Sequence, residues 1–159
     1  MSRILVAYFS ASGTTKQVGD RLALGIGADI FEIRPEKPYT ESDLRWTNPL
    51  ARCNREKMGR KDIPIARRIE NIEKYETIFI GFPIWYYGAP NIIVSFLKSY
   101  DFFGKKIAFF ATSGGSELGK TVEKLKPYLS EKAEIIDAKL MYGNTGVKDL
   151  VDWADNLGI

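Results

Sequence analysis

Ser10, Ser12, Thr14 and Thr15 place four side-chain hydroxyls around Gly13 within six residues. Neutral donors at that density suit the oxygens of an anion rather than acid–base chemistry. The residues before them, Ile4 to Phe9, form a continuous apolar run rich in β formers, which reads as a buried strand. Behind them, Val18, Leu22 and Ile26 fall on one face of a helix. A strand that passes through a short hydroxyl loop into a helix delivers first-turn N–H groups that have no intrahelical partner and carry partial positive charge. A phosphate fits there, and Gly13 lets the backbone come close to it. The Walker spacing GxxxxGK[ST] and the dinucleotide spacing GxGxxG are both absent from the loop. Its phosphate therefore belongs to neither a Walker-type nucleotide nor a Rossmann dinucleotide.

Two later segments have complementary chemistry. Pro83-Ile84-Trp85-Tyr86-Tyr87-Gly88 puts three adjacent aromatics at a strand exit. A loop that short cannot readily bury all three, so some face a site, where planar rings suit a flat heterocycle. Thr112-Ser113-Gly114-Gly115-Ser116 offers backbone N–H groups on small residues, suited to the polar edge of such a ring. The chain has no His and a single Cys, Cys53. An internal disulfide, an all-Cys metal site and Ser-His machinery are thereby excluded, and no metal site is expected. No pair of carboxylates stands at a spacing that suggests general acid–base work, so no catalytic side chain is assigned. Chemistry must come from a bound cofactor or from carboxylates and hydroxyls.

The elements that hold these segments alternate. Strands are expected at 3–9, 29–34, 76–82, 106–112 and 134–141, and helices at 14–26, 90–100, 117–128 and 146–157, with weaker helical signals in 47–58 and 64–71. Residues 77–82 and 107–111 are continuously apolar, as parallel strands covered on both faces are. Strands joined by crossover helices give a doubly wound α/β sheet. At 159 residues the chain is read as one domain, 1–159. It lacks a long apolar run and a signal-peptide pattern, and the expectation is a soluble, cytoplasmic protein with no membrane insertion. Charge is uneven: residues 45–68 carry eight Lys/Arg against two Asp/Glu, while the whole chain is +3. This is either a solvated surface or a docking face for an acidic partner. No nucleic-acid-binding pattern is present.

The first segment, with Ser10, Ser12, Gly13 and Thr15, resembles the phosphate loop [ST]-x-[ST]-G-x-[TS] of the flavodoxin family. The segment from Phe82 to Gly88 resembles that family's ring-stacking loop, and Thr112 to Ser116 its pyrimidine-edge loop. The resemblance covers nearly the whole chain, with no long insertion in the fifth strand, as in short-chain flavodoxins. It implies a five-stranded parallel sheet of order 2-1-3-4-5 and an FMN cofactor. Ser10, Ser12, Gly13, Thr14 and Thr15 would hold the phosphate. Pro83, Ile84, Trp85, Tyr86, Tyr87 and Gly88, with Thr112, Ser113, Gly114, Gly115 and Ser116, would hold the ring. The function implied is electron transfer with a redox partner protein or an NAD(P)H-linked reductase. The alternatives are an NAD(P)H-dependent FMN oxidoreductase acting on quinones, with Arg52, Arg55 and Lys57 attracting the nicotinamide cofactor, and a flavin-free binding module. Unlike most flavodoxins, the ring loops contain only Glu117 as an acid. A reduced flavin would meet little negative charge, so its second one-electron couple is expected to be less negative than in acidic flavodoxins.

Overall fold

The computed structural model describes residues 3–45, 47–59, 62–85, 88–113, 117–129 and 131–159. Five strands, β1 (Ile4–Tyr8), β2 (Asp29–Glu32), β3 (Thr77–Pro83), β4 (Lys106–Thr112) and β5 (Glu134–Met141), form one sheet of order β2-β1-β3-β4-β5. Every neighbouring pair is parallel. Parallel neighbours need a crossover between them, and the chain supplies α1 (Thr14–Ile26), α2 (Arg52–Gly59), α3 (Asn91–Lys98), α4 (Thr121–Leu125) and α5 (Val147–Asn156). Both the doubly wound architecture and the expected strand order are thus present.

Side chains that alternate along the strands feed two cores. Leu5, Ala7, Phe9, Ile78, Ile80, Phe82, Ile107 and Phe109 pack with α3 residues Ile92, Ile93 and Phe96 on one face. Val6, Tyr8, Phe79, Ala108 and Phe110 pack with Val18 and Leu22 of α1 and Leu150 and Trp153 of α5 on the other. This double covering is why β3 and β4 read as unbroken apolar runs. At Gly81, in the middle of β3, a built Cβ would lie 2.1 Å from Cζ of Phe110. The missing side chain makes room for that ring.

Three sequence expectations are corrected. The segment 64–71 is not helical over its described residues. Its first residues pair antiparallel with the chain leaving β2, through Glu36 N–H to Pro64 O at 2.9 Å and Ala66 N–H to Arg34 O at 2.8 Å, with a bridge from Pro35 to Ile65. The backbone beyond β2 offers free partners there, and a 3₁₀ turn follows only at Ile72–Lys74. The helix expected within 47–58 starts at Arg52, because Asn48 and Pro49 sit in turns, Asn48 Oδ1 accepting from Leu50 N–H at 3.0 Å. The helix expected over 117–128 begins at Thr121 and tightens into a 3₁₀ turn at Lys126–Tyr128. Pro127 has no N–H to continue the ladder and crowds the preceding turn.

One buried phenol makes stability depend on alkaline pH. Tyr75, buried at the end of the β2–β3 connection, donates to Asp29 Oδ2 at 2.7 Å. Burial foremost, and the Asp29 carboxylate next, push its pKa up to about 12 from 10.0. The fold favours the neutral phenol. Its stabilising contribution is full below about pH 10 and lost as pH rises towards about 12. Urea unfolding between those pH values should show a shallower loss of stability in Tyr75→Phe than in the wild type. Equal slopes would remove Tyr75 as a cause.

Candidate functional site

In a doubly wound sheet the crevice lies beyond the carboxyl ends of the strands, where the order reverses. Here that point falls between β1 and β3, since the chain leaves β1 towards β2 on one side and returns through β3 and β4 on the other. The loops after β1, β3 and β4 meet at that end. Ile84 N–H donates to the carbonyl of Thr112 at 2.9 Å, joining the second loop to the third. The hydroxyls of Thr15 and Thr112, both buried, lie 2.7 Å apart and join the first to the third.

The first loop is built to leave donors free. Gly13 has φ +98°, a left-handed conformation that places the chain at the start of α1. Ser10 Oγ accepts from Gly13 N–H at 3.1 Å and closes the loop beneath it. The first intrahelical bond is Gln17 N–H to Gly13 O at 3.0 Å. The N–H groups of Thr14, Thr15 and Lys16 therefore precede the helical ladder, and among the described residues no side chain caps them. No acid stands in the first turn to compete for them. Ser12 is exposed beside them. Lys16, which the sequence pattern left outside the loop, points back to Asp20 Oδ2 at 3.1 Å and to the Tyr8 hydroxyl at 3.2 Å. The bond to Asp20 foremost raises its pKa to about 12, so it is a fixed positive charge at the loop's edge.

The second loop continues directly from Pro83, the last residue of β3. Reciprocal bonds of 2.8 and 3.0 Å tie Trp85 to Gly88. Tyr86 and Tyr87 lie outside the described residues, as do Gly114, Gly115 and Ser116 of the third loop. Trp85 packs edge-to-face on two rings: Phe9, at 5.7 Å between centroids, and Tyr39, at 5.4 Å. Phe9 and Tyr39 meet each other at 5.8 Å, so the three form a closed aromatic triangle. Phe9 directly precedes the phosphate loop, which fastens the two loops together from below.

Tyr39 was not foreseen. It sits in a polar, proline-bearing connection with no periodicity to mark it as a core position. Its hydroxyl donates to Glu56 Oε1, and the Arg52 guanidinium lies 4.0 Å from its ring centroid. Arg52 also donates to Glu56 Oε2 at 3.1 Å and to the carbonyls of Lys37 and Pro38 at 2.6 and 3.2 Å. Burial foremost, and Glu56 after it, raise the Tyr39 pKa well above that of a free phenol. Arg52 is thus committed to bonds inside the protein. Arg55 is exposed on α2, and Cys53 is buried. Among the described residues, no three His, Cys, Asp or Glu gather as metal ligands, and no helix is long and apolar enough to cross a membrane.

Comparison with known proteins follows the same lines. A family model described as Flavodoxin matches residues 3–157. A protein provisionally described as a flavoprotein from Bacteroides eggerthii is 37% identical, with a TM-score of 0.89, covering 100% of this chain and 99% of that one. A second, from Bacteroides uniformis, is 33% identical, with a TM-score of 0.87, covering 96% and 97%. A flavoprotein from Lactobacillus acidophilus, solved in complex with FMN, shares the fold at 23% identity and a TM-score of 0.70, covering 88% and 93%. No curated protein matches. A family match over nearly the full length, on a sheet of the same order, means that the chain belongs to the flavodoxin family.

Proposed function

We propose that this chain binds FMN at the three-loop crevice and carries electrons singly between redox partner proteins. The observation that carries the reading is the uncapped first turn of α1, where Thr14, Thr15 and Lys16 present N–H groups under a left-handed Gly13. Such a cradle fits a phosphate dianion. FMN, the ligand of the Lactobacillus acidophilus neighbour, would set its phosphate there, and its ring would lie against the loops that start at Pro83 and Thr112. When bound, FMN supplies an isoalloxazine ring that takes up and releases electrons.

The protein's part is to bind, orient and exclude water. Ser12 and the N–H groups of the first turn hold the phosphate, and Ser10 keeps Gly13 in place. The Thr15–Thr112 hydroxyl contact holds the phosphate loop at a fixed distance from the ring-edge loop. Trp85, wedged between Phe9 and Tyr39, gives the second loop an apolar, rigid wall. Among the described residues of the site no side chain is arranged as a general acid or base, which suits transfer of electrons alone.

The test is stepwise anaerobic reduction of the FMN-loaded protein followed by absorbance. A carrier shows a long-wavelength band that is maximal at half-reduction, with no continuing consumption of NAD(P)H. The same titration reads whether the second couple is less negative than in acidic flavodoxins. Direct bleaching without that band, together with sustained NAD(P)H turnover, would instead establish a two-electron oxidoreductase.

A further inference from the structure

We infer that Tyr39, Arg52 and Glu56 form a latch that fixes the Trp85 indole and so sets how tightly the flavin ring, as distinct from the phosphate, is held. The inference rests on the reading of the three loops as a flavin site.

The connection between β2 and β3 is long and polar, and its own secondary structure is slight. Nothing in it needs to touch the crevice. Yet its start and α2 converge on a single phenol beside Trp85. The Arg52 guanidinium covers one side of the Tyr39 ring, while Glu56 accepts from both the Tyr39 hydroxyl and Arg52 Nε. Arg52 and Glu56 are an i,i+4 pair on α2, with side chains only 11% and 15% exposed. An ion pair so shielded is weakly screened by solvent and geometrically demanding. Arg52 further gathers the carbonyls of Lys37 and Pro38, the two residues before Tyr39, which fixes the backbone that presents the phenol. The side-chain amide of Asn91, at the start of α3, donates to the backbone carbonyl of Glu56 at 2.6 Å. Since α3 begins just beyond the ring loop, the latch is fastened at both ends of the segment it holds.

The consequence is mechanical. With Phe9 on one side and Tyr39 on the other, the indole of Trp85 meets both rings at 85–86° and is held in one orientation. Phe9 is anchored within the sheet core, while Tyr39 packs on the edge of that core and is further held by the latch. Loss of the latch frees the indole and adds an ordering cost to every binding event at the ring. The phosphate cradle, built on β1 and α1, is untouched.

The test is titration of the apo-protein with FMN and with riboflavin, which lacks the phosphate, followed by flavin fluorescence. Tyr39→Leu should weaken both ligands by a common factor of about tenfold, leaving their affinity ratio at the wild-type value. Tyr39→Phe keeps the ring contacts and should recover most of the loss. Arg52→Lys keeps the charge but not the planar fork, and should weaken both ligands about threefold. It provides the same comparison if Tyr39→Leu does not fold. The visible absorption contour of the bound flavin should change in Tyr39→Leu and not in Tyr39→Phe. Unchanged riboflavin affinity in Tyr39→Leu and Arg52→Lys, or a loss confined to FMN, would overturn the latch. A wild-type protein that binds neither flavin would overturn the flavin site itself, and the latch with it.

Discussion

Gly81→Ala is expected to lower the thermal midpoint by about 6–12 °C. The added methyl would sit 2.1 Å from Cζ of Phe110, with two further ring atoms at 2.3 and 2.7 Å. Phe110 is fully buried and faces α1 and α5 across a filled core, so the ring has nowhere to retreat. Close-packed interiors do not absorb such an intrusion, and overpacking costs about 3 kcal/mol. In a chain of this length each kcal/mol moves the midpoint by about 2–4 °C. Relief should come from the partner: Phe110→Leu in the same protein should recover part of the loss, because the two changes share one contact. Thermal unfolding followed by circular dichroism measures both. A single variant as stable as the wild type would mean that β3 and β4 can separate freely at Gly81, against the registry they keep along their whole length.

Removal of the ligand's phosphate should have the largest effect on binding. The first turn of α1 supplies the N–H groups of Thr14, Thr15 and Lys16, and each bond to a charged oxygen contributes about 1.5–3 kcal/mol. Two such bonds at the lower figure already amount to about 3 kcal/mol, more than a hundredfold in affinity. Riboflavin should therefore bind at least about 100-fold more weakly than FMN. Gly13→Ala should narrow that gap. A Cβ at Gly13 meets no atom within 4 Å, so its penalty comes from φ +98° alone. A side chain in that region is strained by about 1–2 kcal/mol, and relief of the strain would misdirect the N–H groups behind it. FMN affinity should fall several-fold, while riboflavin, which never uses the cradle, should be nearly unaffected.

Where the sequence could be read, a period or a spacing made it so. The strands β3 and β4 announce themselves as apolar runs because both of their faces are covered. The phosphate loop is visible because a left-handed turn before a helix needs Gly13, and an anion needs donors around it. Tyr39 is invisible because its importance lies in contacts with residues far away in sequence: Phe9 and Trp85 by packing, Arg52 and Glu56 by charge. Nothing local distinguishes it from any tyrosine near a proline. The same holds for the basic stretch 45–68, whose members have separate fates. Arg52 is internal, Arg67 lies 5.6 Å from the Phe31 ring centroid, Arg68 lies 4.7 Å from that of Tyr100, and Arg55 faces solvent. The mistaken helix at 64–71 has a related origin: its first residues pair with Arg34 and Glu36, a partnership that only the third dimension supplies.

The most direct measurement is the side-by-side titration of the wild-type apo-protein with FMN and riboflavin, followed by desalting and an absorbance spectrum. The account predicts one FMN retained per chain, with riboflavin washed away and its affinity lower by about a hundredfold or more. Equal affinity for the two flavins would contradict the assignment of the α1 cradle to the phosphate. A colourless protein after incubation with excess FMN would contradict the cofactor itself and leave this member of the family as a flavin-free binding module.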